Sequence, residues 1–321
     1  MNILLITNRT DITTDFVVKS LHQRQVNFYR FNTDEIGHGV DLNFDFDRNS
    51  FQIIDNIQQR TVDLLQIKSV YYRRPELVID KGRMSNGELN FVRSELFFAL
   101  EGLFRILSKA FWVNSVWAIR NAENKIFQLL LARNIGFQLP NSVITNVPEK
   151  AQDFFAQNNS FCIIKPIKSG LVEGDDDQSV IFTSKVSIDK QNQKRVAACP
   201  VYLQQLIEKK GDIRVTIVGK RIFAAFIHSQ EVSEAQIDWR RSPTPLEHTE
   251  IQLPDAIKQN CLELTKSLDL NFAAIDFILD KSDRYIFLEL NPNGQWAWIE
   301  RQLNLNISDA ITNLMVENQN N

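Results

Sequence analysis

Two short apolar strands near the end of the chain each carry a carboxylate at their centre, and a fold must find a way to accommodate them. They read Ala273-Ala274-Ile275-Asp276-Phe277 and Phe287-Leu288-Glu289-Leu290-Asn291, with a polar turn at Asp280 to Arg284 between them, so they are expected to pair as a hairpin. Side chains alternate along a strand. That places Glu289 and Asn291 on one face with Tyr285 and Phe287, and Ile286, Leu288 and Leu290 on the other. An acid in such a strand is costly to bury unless it is paired or bound to a cation. The fold must therefore bring positive charge to this hairpin or leave its acid-bearing face in water. In the first case Asp276, Glu289 and the Asn291 amide oxygen form a hard-oxygen shell suited to magnesium carrying nucleotide phosphates. In the second they are surface acids, and the hairpin alone does not choose.

Candidate cations lie upstream. Ile163-Ile164-Lys165-Pro166 sets a lysine at the end of an apolar strand, followed by a loop with Gly170 and Gly174 and then another strand. A strand lysine beside a glycine-containing flap can hold phosphates as a point charge while the flap excludes water. Taken singly, Lys165 and Lys125, the latter on the exposed side of a helix, also fit ordinary solvated side chains. Together with Asp276, Glu289 and Asn291 they make a constellation. Val201-Tyr202-Leu203-Gln204-Gln205-Leu206-Ile207-Glu208 suits a nucleotide hinge: backbone groups at the adenine edge, Leu206 and Ile207 against its ring, Glu208 on the ribose hydroxyls. Asp212-Ile213-Arg214 opens the next strand, and Arg214 is placed to reach a transferring phosphoryl group. An exposed ion pair between Asp212 and Arg214 explains the same spacing.

Composition narrows the chemistry. Lys+Arg 36 against Asp+Glu 39 gives a net charge of -3, too balanced for a dedicated nucleic-acid binder or a polybasic membrane patch. Three cysteines and four histidines, without a CxxC or HExxH spacing, argue against structural zinc, a disulfide framework and a histidine-based zinc enzyme. The N-terminal apolar run Ile3-Leu4-Leu5-Ile6 is too short for a signal peptide, and no stretch approaches the roughly 18 apolar residues of a membrane span. A cytoplasmic protein is expected.

At 321 residues, two or three domains are expected. Short strands and a helix alternate through the first third (Ile3–Ile6, a helix from Phe16, Asn27–Phe31, Leu42–Asp47, Ser69–Arg74), which predicts an open α/β sheet. No GxGxxG follows the first strand, which argues against a dinucleotide-binding domain. A long helix carries Leu96, Leu100, Leu103, Phe104 and Leu107 on one stripe, and a second runs from about Ala122 to Asn134 with Ile126, Leu129, Leu130 and Arg133 at helical spacing. The remainder is rich in strands. The expected domains are 1–115, 116–200 and 201–321, in an α/β (α+β) fold.

On these residues the chain resembles the ATP-grasp superfamily of carboxylate ligases over roughly 115–310. The resemblance is carried by Lys125, Ile164-Lys165-Pro166, the Gln204 to Glu208 hinge, Asp212-Ile213-Arg214, Asp276 and Glu289-Leu290-Asn291-Pro292. Within that superfamily the first third resembles the pre-ATP-grasp domain of the maturases of microviridin-type peptides, or graspetides, through Arg30-Phe31-Asn32-Thr33-Asp34, Tyr72-Arg73-Arg74-Pro75 and Trp112-Val113-Asn114. Ser233 to Arg241, with Asp238-Trp239-Arg240, is similar to the same group.

The resemblance implies an enzyme that uses ATP and magnesium to turn a carboxylate into an acyl phosphate, which a hydroxyl or amine then attacks. In the peptide maturases the products are ω-ester or ω-amide macrocycles of a precursor peptide whose leader docks on the enzyme, and homodimers are usual. Lys125, Lys165, Gln204, Gln205, Leu206, Ile207 and Glu208 would then bind the nucleotide, and Asp276, Glu289 and Asn291 the metal. Arg214 and Arg240 would serve the transferring group. Arg73, Arg74, Asp238, Trp239 and Arg241 are candidates for the peptide, because a guanidinium grips a carboxylate bidentately; the alternative for Arg73-Arg74 is one buried and one exposed arginine. Two departures stand out. Asn291 is followed by Pro292-Asn293-Gly294, where many such ligases have a basic residue, and Glu173 to Asp177 make the flap acidic. Rival expectations are a ligase of the glutamate-adding type and a regulatory nucleotide binder without turnover.

Overall fold

The run Ile3–Thr7 (β1) is buried along its whole length, as suits an apolar strand with parallel neighbours on both edges. Phe28–Asn32 (β2) pairs with it on one side, after a helix, α1 (Ile12–Gln23), whose first turn is capped by the Asp11 carboxylate accepting the Thr13 N–H. Three strands then form a sheet of their own: β3 (Val40–Asp45), β4 (Ser50–Asp55) and β5 (Arg60–Asp63). Tight turns join them, so they pair antiparallel with one another and cannot enter the parallel sheet as neighbours. β6 (Ser69–Tyr72) returns to the free edge of β1. Helix α2 (Asn86–Ile106) opens on a capping box between Ser85 and Glu88, and β7 (Phe111–Val113) completes the order β2-β1-β6-β7. Leu4, Ile6, Phe31, Val70, Leu103 and Phe104 pack together as the core of this region. A short helix, α3 (Val116–Ala122), follows.

The computed structural model describes residues 2–318 apart from 160, 169, 174–177 and 187–192, and only the backbone of 171–173, 178–180 and 193. Its contacts divide the chain into two units. The first holds residues up to Ile119, the short stretch Leu270–Phe272 and everything from Asn293 on. The last subdomain expected from sequence runs to 321, yet helices Ala297–Leu303 and Ile307–Glu317 pack in this first unit. Ser69 Oγ donates to the Met315 carbonyl at 2.7 Å, Ser20 Oγ to Asp309 at 2.6 Å, and the fully buried Trp296 stands edge-on to Phe16. The Asn114 side chain accepts the N–H groups of Asn271 and Phe272 and donates to the Phe272 carbonyl.

Arg73 belongs to the same set of contacts. It is 1% exposed, pairs with Asp11 at 3.3 Å and donates from Nη1 to the carbonyls of Asn293 and Gly294, at 3.1 Å each. Its neighbour Arg74 is exposed and sits in the left-handed region at φ 44°, where a non-glycine residue is uncommon. Of the two alternatives for this pair, the structure shows one arginine buried and one exposed.

The second unit spans Arg120–Asp269 and Ala273–Pro292. Helix α4 (Lys125–Ile135) begins at the Asn124 cap and stops at Gly136, whose φ of 103° a side chain would resist. β8 (Ser142–Thr145), α5 (Pro148–Gln157), β9 (Cys162–Lys165), β10 (Leu171–Glu173), β11 (Gln178–Val180), β12 (Ser184–Lys185), α6 (Gln193–Ala198) and β13 (Val201–Gln205) follow in turn. Four of these strands make an antiparallel sheet in the order β12-β9-β13-β8, while β10 and β11 pair as a separate ribbon. The acidic flap expected at Glu173 to Asp177 lies largely outside the described residues. A second antiparallel sheet has the order β16-β15-β14-β17-β18, from β14 (Lys209–Val218), β15 (Arg221–Ile227), β16 (His248–Glu250), β17 (Phe272–Asp280) and β18 (Tyr285–Asn291). Helix α7 (Asp255–Ser267) precedes β17 and buries Cys261 and Leu264. The end of α4 joins this core through Phe137, whose ring stacks on Phe287 at 5.1 Å and lies 5.6 Å from Phe277. Among the described residues, no helix is long and apolar enough to cross a membrane.

Candidate functional site

The hairpin expected from the sequence is β17 and β18, but its faces differ from simple alternation. Asp276 pairs with Glu289, whereas Phe277 pairs with Phe287, so Leu288 is an extra residue in β18. A bulge of this kind reverses the side-chain phase beyond it. Phe287 is therefore fully buried against Phe277 and Phe137, while Glu289 turns to the opposite face beside Asp276. The expectation that Glu289 shares a face with Phe287 is corrected accordingly: without the bulge, Glu289 would point into the aromatic core.

Positive charge does reach the hairpin. Lys125, in the first turn of α4, holds Glu289 Oε2 at 3.0 Å and donates to the Pro166 carbonyl at 3.1 Å. Arg214, on β14 next to β17, brings Nε to 2.7 Å from Asp276 Oδ1 as an ion pair without the alignment of a hydrogen bond. Its Nη1 is buried with no hydrogen-bond partner among the described residues. Lys165 ends β9, with its ammonium 5.9 Å from the centre of the Tyr202 ring. Burial lowers its pKa, and the nearby Glu289 charge opposes that shift.

Arg240 completes the group. Its guanidinium forks onto Asp238, Nε to Oδ1 and Nη2 to Oδ2 at 2.8 Å each, which holds it above its ordinary pKa. Asp238 is 6% exposed and also accepts the Thr183 N–H. Burial alone would raise its pKa, but the Arg240 fork outweighs that and leaves it ionised. Its carboxylate is thus committed to aiming Arg240. The two hairpin acids are set apart by the same field. Burial pushes Asp276 above the usual carboxylate range, with Arg214 opposing and Glu289 adding to the rise. For Glu289 the burial penalty is outweighed by Lys165, Lys125 and Arg240, and its pKa falls below the usual range.

A cavity of about 390 Å³ is lined by Lys125, Lys165, Arg240, Glu289 and Asn291 among others. A smaller recess of about 50 Å³ is lined by Gln204, Asp212, Asp238, Trp239 and Asp276, and shares Lys165, Arg240 and Glu289 with the first. Both lie within the second unit. The oxygen donors fit a hard divalent cation: two carboxylates in register, and an amide one alternate position further along the strand. Charge points the same way. Lys125, Lys165, Arg214 and Arg240 face Asp238, Asp276 and Glu289, an excess of positive charge too small to neutralise a triphosphate alone. Arg214 lines neither cavity; it acts on the site through its ion pair with Asp276.

Not every sequence candidate lies on these walls. Gln204 is buried and donates to the Tyr202 hydroxyl at 2.9 Å. Gln205 and Leu206 direct their N–H groups to the carbonyls of Asn141 and Phe161. With the half-buried Ile207 and exposed Glu208 they line neither cavity. Trp239 lies 5.8 Å from the Arg214 guanidinium, and Arg241 donates to Ser184 Oγ at 2.8 Å beside the Phe182 ring. Arg73 and Arg74 belong to the first unit.

Sequence reading missed the Gln128 side chain. Of the residues at helical spacing in this helix, Ile126 and Leu130 are 54% and 55% exposed, while Gln128 is 2% exposed. The helix meets a strand edge at Leu290, so its buried face carries the polar Gln128 as well as the apolar Ala132. Lys168, Phe182 and Thr183 also line the main cavity. The three-residue spacing of Lys125 and Gln128, which puts both on one helix face, was the available signal.

Comparisons with known proteins agree on the architecture. Residues 2–120 match the family model of the MvdD pre-ATP grasp domain, and residues 122–315 match that of the RimK-like ATP-grasp domain. A Chryseobacterium gregarium RiPP-associated ATP-grasp ligase, solved with ADP and a leader and core peptide, is 27% identical with a TM-score of 0.88, over 99% of this chain and 97% of that one. The macrocyclase MdnC of Microcystis aeruginosa MRC, bound with its precursor peptide MdnA, is 28% identical with a TM-score of 0.86, over 99% of each chain. A probable alpha-L-glutamate ligase of Haemophilus influenzae is 26% identical over 207 residues, 63% of this chain and 65% of the relative, so the match spans less than two thirds of that protein.

Proposed function

The chain belongs to the RimK-like ATP-grasp family, and on that premise we propose that it is an ADP-forming carboxylate ligase that joins side chains of a ribosomal precursor peptide into macrocycles. One observation carries the reading: Lys125, Lys165, Arg214 and Arg240 converge on Asp276 and Glu289, in a chain whose first part matches the MvdD pre-ATP grasp domain. The likeness to a macrocyclase bound with its precursor and to a RiPP-associated ligase bound with ADP and peptide supports it.

In the proposed reaction a side-chain carboxylate oxygen of the peptide attacks the γ-phosphorus of ATP. The bond to the β-phosphate oxygen breaks, leaving ADP and an acyl phosphate. A hydroxyl oxygen or amine nitrogen of the same peptide then attacks the acyl carbon, phosphate leaves, and the nucleophile gives up its proton. The sum is one ω-ester or ω-amide bond and one water lost from the peptide for each ATP consumed. The protein's share is positioning and charge neutralisation. Lys125 and Lys165 hold the phosphates, and Arg214 and Arg240 neutralise the group in transfer. Gln204, Gln205, Leu206, Ile207 and Glu208 form the adenine and ribose side. Asp276, Glu289 and Asn291 hold magnesium, which when bound supplies a further positive charge at the phosphates. Arg74, Trp239 and Arg241 contact the peptide, Asp238 aims Arg240, and Arg73 acts through the chain it grips. The partner is a precursor with leader and core, and the enzyme works as a cytoplasmic homodimer.

The curated relatives, described as probable alpha-L-glutamate ligases, favour a second reading, the addition of glutamate. ADP release separates the two. The assay uses the purified protein, ATP, Mg2+ and a peptide from an adjacent short reading frame with Thr/Ser/Lys and Asp/Glu clusters in its C-terminal part. ADP formation is expected with peptide alone, unchanged by free glutamate, and abolished by chelating the metal. An absolute requirement for free glutamate would put the second reading in place of the first.

A further inference from the structure

Among the described residues β18 is the outermost strand of its sheet; its outer edge meets the Gln138 backbone, whose carbonyl accepts the Phe287 N–H at 2.9 Å, but no strand continues along it to Leu290. At Leu290 a side chain takes that place. The Leu290 N–H donates to Gln128 Oε1 at 2.9 Å, and the Leu290 carbonyl accepts from Gln128 Nε2 at 2.7 Å. The same Nε2 also reaches the Ala122 carbonyl. One buried amide thus imitates a neighbouring strand. The two peptide units that it fixes are those joining Glu289 to Leu290 and Leu290 to Asn291. One helical turn earlier, Lys125 on the same helix face holds the Glu289 carboxylate.

The position of this anchor matters because the ladder is interrupted just before it. The bulge at Leu288 breaks the regular pairing with β17, and the strand ends at Asn291. Residues 289–291 are therefore a short paired span between the bulge and the end of the strand, and Gln128 holds its middle from the other edge. We propose that Gln128 is a positioning residue that presents Glu289 and Asn291 to the divalent cation. It rests on the metal role proposed above for those two residues and assigns the group that aims them.

The test measures metal binding directly. Free Mn2+ is followed by electron paramagnetic resonance as it titrates the whole protein in the presence of ADP, for wild type, Gln128→Met and Glu289→Gln. Methionine keeps the volume and removes both hydrogen bonds. Gln128→Met is expected to weaken Mn2+ binding by about tenfold or more, the usual size of the effect when a group supporting a metal ligand is lost. Metal-free ADP affinity should change less than about twofold, on the same principle that the supporting group acts through the ligands. A merely structural role would lower the melting temperature and the active fraction but leave the Mn2+ affinity of the folded protein unchanged. Should Gln128→Met fail to fold, Gln128→Ala, which leaves room for water at Leu290, is expected to weaken Mn2+ binding in the same direction. Wild-type Mn2+ affinity in a folded Gln128 variant, with binding lost in Glu289→Gln, overturns the positioning role alone. Wild-type affinity in Glu289→Gln overturns the metal role and the positioning role with it.

Discussion

Glu289→Gln is expected to reduce peptide-dependent ADP formation by on the order of a hundredfold or more, equivalent to roughly 3 kcal/mol of lost transition-state stabilisation, while the protein stays folded. Glutamine fits the space and keeps one carbonyl oxygen. What it removes is the negative charge against which Lys125, Lys165 and Arg240 are balanced. With that charge gone, three cations face one another across the cavity, and a divalent cation is met by a single carboxylate, Asp276. The structural cost is limited because Lys125 and Glu289 keep 18% and 20% of their side chains in water, where stranded charges remain partly solvated. Activity and stability should therefore separate. A melting temperature close to wild type with activity reduced by the stated amount fits the account; full activity would remove Glu289 from the site.

Arg73→Met should show the opposite pattern, a large loss of stability. Arg73 and Asp11 are 2% and 7% exposed in their side chains, and breaking a buried pair typically costs about 3–5 kcal/mol. The lower end applies, because Asp11 keeps hydrogen bonds from Thr7, Thr13 and Thr14. The variant also leaves the carbonyls of Asn293 and Gly294 without their donor, just where the chain enters its last two helices. A loss of about 3 kcal/mol corresponds to a fall in melting temperature of roughly 6–12 °C for a chain of this kind. Calorimetry or thermal circular dichroism reads it directly. An unchanged melting temperature combined with weaker peptide binding would instead assign Arg73 to the substrate.

Much of this arrangement could be seen in the chain before any coordinates. Acids at the centres of apolar strands demand counter-charge whatever the topology, so Asp276 and Glu289 pointed to lysines and arginines elsewhere, and Lys125 and Arg214 are now seen paired with them. Three features were not legible, each for a physical reason. A bulge adds one residue to one strand, and a period of two carries no record of it, so the phase of Glu289 relative to Phe287 was read the wrong way round. The buried face of α4 is not given by apolar spacing alone, because a polar side chain on it leaves no apolar signal. A helix docked on a strand edge satisfies backbone groups there, and Gln128 does that while Ile126 and Leu130 stay exposed. Finally, the return of residues 293–318 to the first unit depends on contacts between positions more than two hundred residues apart, such as Arg73 with Asn293 and Ser69 with Met315. No local pattern encodes a partner at that distance.

On the proposed function, ATP is spent on closing bonds within one peptide rather than on adding a residue to it. Mass spectrometry of the precursor peptide, with ADP measured in the same reaction, tests this most directly. Peptide mass is expected to fall by one water for each ADP formed, in steps, with no added residue. A gain equal to an amino-acid residue per ADP, or ADP formed while the peptide mass stays constant, would contradict it.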